Sequence, residues 1–271
     1  MTTYTDAILT CQNVSFGYDG HVVVHNLTFS VAKEDYLCIV GENGSGKSTL
    51  IKGILRLIAP LQGSVTINAG ASAPNRGKGC RGARIQGGET GYLSQASAAK
   101  KDFPAGVSEI VLSGMAGRMG LRPFYSRKEK ETAASVMQRL NIVDLRRRCF
   151  RELSGGQQRR VLIARALCAV LSSGAASLND AARTAARKML VLDEPAAGLD
   201  PLVTAEVYEL LQTLNTEIGI AIVMVSHDIE SALKYARHVL HITPTRCFYG
   251  TTDEYRQSSQ YAQLLGGTIH E

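Results

Sequence analysis

No stretch of this 271-residue chain approaches the roughly 20 consecutive apolar residues that a membrane-spanning helix needs. The longest apolar run, around Ile220–Val225, is the length of a strand. The first residues, MTTYTDAILT, hold neither a basic start nor an apolar core, so no secretory signal is expected. Any membrane role is therefore expected to be borrowed from a partner. Paired cysteines are missing too. Cys11, Cys38, Cys80, Cys149, Cys168 and Cys247 are scattered with no CxxC, which argues against a disulfide framework or a metal knuckle and for a reducing compartment. Cys38 in YLCIV and Cys168 in ARALCAVL read as small hydrophobes. There is no internal repeat and no heptad pattern, so a repeat array or a coiled coil is excluded.

What is present is ordinary globular material, 45% hydrophobic and 20% charged, in a chain long enough to bury most of its unfolded surface. Lys and Arg outnumber Asp and Glu by 30 to 24, a net charge of +6. Such a balance attracts nucleotide, anionic headgroups or nucleic acid and does not choose among them. Residues 8–40 read as strands, ILTCQNVSFGY, VVVHNLTFSVA and YLCIV, broken near Gly17–Gly20 and Lys33–Asp35. After Gly46 the period changes: Leu50, Ile51, Ile54, Leu55 and Ile58 recur at helical spacing, with Pro60 as a stop. A short strand is expected at Ser64–Asn68, then a basic, glycine-rich loop from Ala69 to Gly91. Residues 104–170 read as helical, with Ala133, Val136, Met137 and Leu140 on one apolar face. Strands at Met189–Leu192 and Ile220–Val225 bracket a helix near Ala205–Thr216. His238–Phe248 reads as a hairpin, and a polar, weakly helical tail follows. Strands alternating with helices predict a mainly parallel α/β sheet, and the contiguous helical block predicts an inserted helical subdomain.

Between YLCIV and the helix STLIKGILRLI stands Gly41-Glu-Asn-Gly-Ser-Gly-Lys-Ser48, a G-x-x-x-x-G-K-S string. Gly41, Gly44 and Gly46 let the backbone fold tightly enough for successive N–H groups to face one anion. The helix N-terminus adds its partial positive charge at the same spot. Gly41, Asn43, Gly44, Ser45, Gly46, Lys47, Ser48 and Thr49 are thus phosphate-binding candidates. Lys47 is expected to reach the β- and γ-phosphates, and the Ser48 hydroxyl to ligate Mg²⁺. The string implies a nucleotide binder and no more. Met189-Leu-Val-Leu-Asp-Glu194 supplies the acidic partner: Asp193 emerges at a strand end to hold the Mg²⁺ shell, and Glu194 follows to polarise the attacking water.

Leu153-Ser-Gly-Gly-Gln157, followed by QRRVLIARAL, places Ser154 at a helix N-cap with two glycines behind it. By itself that is a plain Ser-capped helix. In a chain that already owns one anion site, a second makes sense if it faces nucleotide on another copy.

With these motifs the chain resembles the nucleotide-binding subunits of ABC transporters over essentially its whole length. The further matches run in the family's order: Tyr18 in F-G-Y as the adenine-stacking aromatic, Gln95 in Y-L-S-Q as the Q-loop glutamine, Asp200 in A-G-L-D as the D-loop, and His227 in V-S-H-D as the switch histidine. The resemblance implies a P-loop core with an antiparallel β subdomain and an inserted helical subdomain. The core falls on residues 1–95 and 189–250, the helical subdomain on 96–170, and a tail on 251–271. It implies ATP and Mg²⁺ as cofactors, with Ser48, Gln95 and Asp193 on the metal. Glu194, His227 and Lys47 would be the catalytic set, while Ser154, Gly155, Gly156, Gln157 and Asp200 would face nucleotide in a head-to-tail dimer of two copies. It implies permease partners, an extracytoplasmic solute-binding protein, no nucleic acid, and a place on the cytoplasmic face of the cell membrane. Ser172–Lys188 exceeds the family pattern and reads as a surface insertion. Phe103–Arg118 and DYLCIVGENGSGKSTLIKGIL resemble zinc- and manganese-import ATPases. Iron-siderophore or haem import is the nearest alternative, and an ABC ATPase acting on nucleic acid or the ribosome a more distant one.

Overall fold

A computed structural model describes residues 7–67, 90–94, 104–171, 188–243 and 246–264. By its internal packing the chain divides into two compact units, residues 1–83 with 223–271, and residues 84–222.

The first unit opens with an antiparallel sheet. Strand β1 (Ala7–Tyr18) pairs with β2 (His21–Ala32) and with β4 (Gln62–Ile67), in the order β2-β1-β4. The β1–β2 turn is Asp19-Gly20, with φ of 49° and 81°. Two consecutive left-handed residues make the two-residue connection whose twist suits a hairpin. Strand β3 (Tyr36–Val40) is buried throughout and pairs parallel with β8 (His238–Ile242), which runs antiparallel to β9 (Cys247–Thr251). A strand buried on both faces has no polar alternation, which is why YLCIV reads as a continuous apolar run.

Helix α1 (Lys47–Ile54) follows β3 and lies on β1. Gly53 sits where a Cβ would come within 2.3 Å of the Phe16 ring, so helix propensity yields here to close packing. The helix ends earlier than its apolar spacing predicts: Leu55 is already its C-cap, and Arg56 turns the chain at φ 56°. Asn68, read as the last residue of β4, lies outside the described residues, as does nearly all of the glycine-rich loop.

The second unit holds β5 (Thr90–Leu93) paired parallel with β6 (Met189–Asp193). Its helices are α2 (Val107–Ser113), α3 (Arg127–Arg139), α4 (Gly155–Leu171) and α5 (Pro201–Ile218). The block expected to be helical over 104–170 is interrupted by 3₁₀ turns at Ala116–Arg118, Val143–Leu145 and Phe150–Glu152. Ala133, Val136, Met137 and Leu140 are buried, as their spacing predicts. Helix α4 buries residues almost all round, including Val161, Ile163, Leu167 and Val170, so it is a core helix and not an amphipathic surface one. Gly91 of β5 and Gly114 after α2 admit α4 closely: a Cβ on either would lie 2.3 Å from Ala166 O or 2.1 Å from Arg165 O.

Strand β7 (Ala221–Val225) carries the chain back to the first unit, where α6 (Ile229–Leu233), α7 (Thr252–Arg256) and α8 (Ser259–Leu264) complete it. The tail is anchored by Tyr255, fully buried against Phe248 and His241. No helix among the described residues is long and apolar enough to cross a membrane.

Candidate functional site

The phosphate-cradle residues lie together in the first unit, in the turn between β3 and α1. Gly41 has φ 149°, and a Cβ there would lie 2.3 Å from Ile242 O, so the loop leaves β3 against β8 with no room for a side chain. Gly46, at φ 97°, is the N-cap of α1, and a Cβ there would press within 2.5 Å of Val24. Gly44, at φ 83°, faces open space. Two glycines are thus packed from behind while the third leaves the front clear. Ser45 N–H donates to Glu42 O at 3.2 Å, closing the turn.

Lys47 is buried and arches over this turn, its Nζ donating to Gly41 O at 2.8 Å and Glu42 O at 2.7 Å. The buried Ser45 Oγ has no partner among the described residues. An unpaired buried hydroxyl in such a loop is costly unless a ligand meets it. The cradle therefore fits a phosphate group. Ser48 is exposed in the first turn of α1, and Thr49 is buried below it. Among the described residues no group of three or more His, Cys, Asp or Glu could hold a metal. Mg²⁺ is ordinarily held by one or two protein oxygens together with phosphate.

Tyr18 ends β1, 42% exposed, with Lys52 Nζ 3.3 Å from its hydroxyl and 5.5 Å from its ring centroid. Hydrogen bonds from Thr49 and Lys52 hold its phenol below the usual range. These residues of α1 fix the ring, a role that their position in a helix whose apolar face alone is legible did not signal. His227 is exposed just after β7. Its neighbours pin it: Ser226 N–H donates to Ile39 O at 3.3 Å, and Asp228 caps α6 through Ser231 N–H. His241, missed from sequence, is buried in β8 with its Nδ1 3.0 Å from the Tyr255 hydroxyl. Burial pulls its pKa down; Glu42 opposes that and Lys47 reinforces it.

The second unit carries the acidic pair and the serine-glycine motif. Asp193 ends β6 and is buried. Glu194 follows with φ 51°, a left-handed conformation uncommon for any residue but glycine. Ala197 N–H donates to Glu194 O at 3.2 Å, Gly198 has φ 74°, and Asp200 caps α5 by accepting from Leu202 and Val203 N–H, both at 3.1 Å. Ser154 and Gln157 form a reciprocal cap on α4: Gln157 N–H donates to Ser154 Oγ at 3.3 Å, and Ser154 N–H to Gln157 Oε1 at 3.1 Å. Ser154 and Gly155 are exposed. Gly156 also serves packing, since a Cβ there would lie 2.6 Å from Val203. Gln95 lies outside the described residues.

Residues 24–170 match the family model described as ABC transporter. The chain belongs to the ABC transporter family. It is a subunit of the ATP-binding kind, and these subunits hydrolyse ATP to power transport by membrane permease partners. The zinc uptake system ATP-binding protein ZurA of Listeria monocytogenes is 34% identical over 92% of this chain and 88% of its own length. The phosphonates import ATP-binding protein PhnC of Staphylococcus aureus is 29% identical over 96% and 95%. Among solved structures, an inward-facing metal-chelate type ABC transporter aligns with a TM-score of 0.76 at 24% identity, covering 96% of this chain and 90% of that one. The ADP-bound ATP-binding cassette of another ABC transporter reaches a TM-score of 0.75 at 23% identity, over 97% and 100%. The α/β P-loop ATPase fold with its mixed sheet is that of these cassettes.

Proposed function

We propose that this ATPase binds MgATP on the Gly41–Ser48 cradle, works as a head-to-tail pair of copies, and drives a permease importing a divalent metal ion, zinc or manganese. The observation that carries the nucleotide reading is the cradle itself: a buried Ser45 Oγ without a partner, two glycines packed from behind, and a buried Lys47 across the mouth. In this reading Lys47 and the loop N–H groups hold the β- and γ-phosphates, and Tyr18 stacks on the base. Ser48, Asp193 and Gln95 would hold Mg²⁺, which supplies neutralisation of phosphate charge when bound. Glu194 orients and polarises the attacking water, while His227 contacts the γ-phosphate. Ser154, Gly155, Gly156 and Gln157 complete the site of the other copy, with Asp200 at that junction.

The metal assignment rests on the 34% identical zinc-uptake relative and on the Phe103–Arg118 segment. An extracytoplasmic solute-binding protein and a place on the cytoplasmic face of the membrane go with an importer of this kind. The 29% identical phosphonate relative is the observation behind a second reading. Deleting the coding region and measuring uptake of radiolabelled zinc, manganese and phosphonate separates the two. Lost zinc or manganese uptake, restored by the wild-type chain but not by Lys47→Ala, is the expected result. Normal metal uptake with lost phosphonate uptake would contradict it.

A further inference from the structure

Arg159 lies on α4, five residues after Ser154, and only 6% of it is exposed. Its Nη2 donates to the Ala197 carbonyl at 3.3 Å, and its Nη1 is buried without a partner among the described residues. Burial pulls the guanidinium below its ordinary pKa, and the Glu194 carboxylate is the charge that favours its ionised form. A buried cation with an unmet donor contributes little to stability, and an apolar side chain of similar length is often as good or better in such a place. Packing therefore does not account for an arginine here.

Its partner does. Ala197 lies in the turn from Glu194 to Asp200, which opens with the left-handed backbone of Glu194. Strain of that kind persists only where the surroundings fix it. Three more contacts bind the same turn and the start of α5 to the start of α4. A Cβ on Gly155 would lie 3.2 Å from Leu199, one on Gly156 would lie 2.6 Å from Val203, and Arg160 pairs with Glu206 at 2.5 Å.

We propose that Arg159 is a positioning residue for ATP hydrolysis, its buried guanidinium fastening the Glu194–Asp200 turn to the helix that carries Ser154. The proposal rests on the reading of Glu194 as the group that acts on water. In a head-to-tail pair, one copy's Glu194 and Ser154 serve different ATP molecules, so the clamp links, within each chain, groups that belong to the two sites.

The test uses the full-length chain with Arg159→Met and Arg159→Lys, measuring kcat, KM, ATP affinity and Tm. Arg159→Met is expected to lower kcat by roughly 10- to 100-fold through misplacement of the turn. Its ATP affinity stays that of the wild type, and its Tm is equal or higher because a poorly satisfied buried charge is gone. Arg159→Lys, which keeps the charge and one donor direction, recovers part of kcat. A wild-type kcat in Arg159→Met overturns the proposal. So does a loss of kcat that tracks a fall in Tm, or one that comes with weakened ATP binding. Glu194→Gln assayed alongside separates the two layers. If it turns over normally, the reading of Glu194 fails; if it is inactive while Arg159→Met is normal, only the clamp fails.

Discussion

At the scale of single residues, the cradle's chemistry is a matter of unsatisfied groups. Lys47 donates to two loop carbonyls, and Ser45 Oγ has no partner among the described residues. On the proposed function, replacing Lys47 with Ala removes a charge-assisted contact to phosphate. A calorimetric titration should show ATP affinity weakened by about 1.5–3 kcal/mol, roughly 10- to 150-fold in Kd. Unchanged affinity would count against the cradle. Glu194→Gln should behave differently if, as proposed, the carboxylate acts on water: ATP affinity is kept while turnover falls roughly 10²- to 10⁴-fold. His241 gives a pH dependence. Its folded-state pKa is depressed by burial, so the unfolded chain takes up a proton first as pH falls through the ordinary histidine value of about 6.5. Stability present above that pH is lost progressively below it. Tm should therefore fall more steeply with pH in the wild type than in His241→Asn, the variant losing less Tm between neutral and mildly acidic pH. The cradle was legible in sequence because its residues are neighbours in the chain. Lys52 on Tyr18, Arg159 on Ala197 and His241 on Tyr255 were not, since each partner is 14 or more residues away and only folding joins them.

At the scale of elements, alternation and helical spacing located most of the strands and the main helices, including the buried face of α3 and the hairpin of β8 and β9, but missed β5, whose first residues Thr90 and Gly91 were read as the end of the glycine-rich loop. Boundaries were harder. Gly53 and the turn at Arg56 shorten α1 inside a perfectly apolar spacing, because packing on Phe16 and the left-handed residue decide where it stops. Lys188, read as the end of the insertion, is buried, and its carbonyl accepts from Ala221 N–H, tying it to the strand pair β6 and β7. A deletion should therefore stop at Arg187. Removing 172–187 is expected to leave Tm and basal ATPase near wild type, whereas extending the cut through Lys188 lowers both. Gly91 tests how tightly β5 meets α4. Gly91→Ala introduces a Cβ at 2.3 Å from Ala166 O, 2.7 Å from Val170 and 2.8 Å from Leu190. Overpacking of this kind costs roughly 1–3 kcal/mol, a fall of several degrees in Tm with ATP affinity unchanged. An undisturbed melt would show that β5 and α4 can part without cost.

At the scale of the whole molecule, one chain carries two helix starts that the proposed function assigns to phosphate, α1 behind the cradle and α4 behind Ser154. The reading in which both serve ATP requires a second copy, with each site built from one chain's Lys47 and the other's Ser154. Mixing two inactive variants tests this most directly. Ser154→Arg places a bulky charge in any site that receives that serine, and Lys47→Ala disables any site that uses that lysine. In a mixed pair both lesions fall in one composite site and the other site is wild type. ATPase activity measured across mixing ratios, with formation of mixed pairs verified by two affinity tags, should rise from near zero in either pure variant to a maximum near equal amounts. Activity that stays near zero at every ratio, with mixed pairs present, would contradict the account.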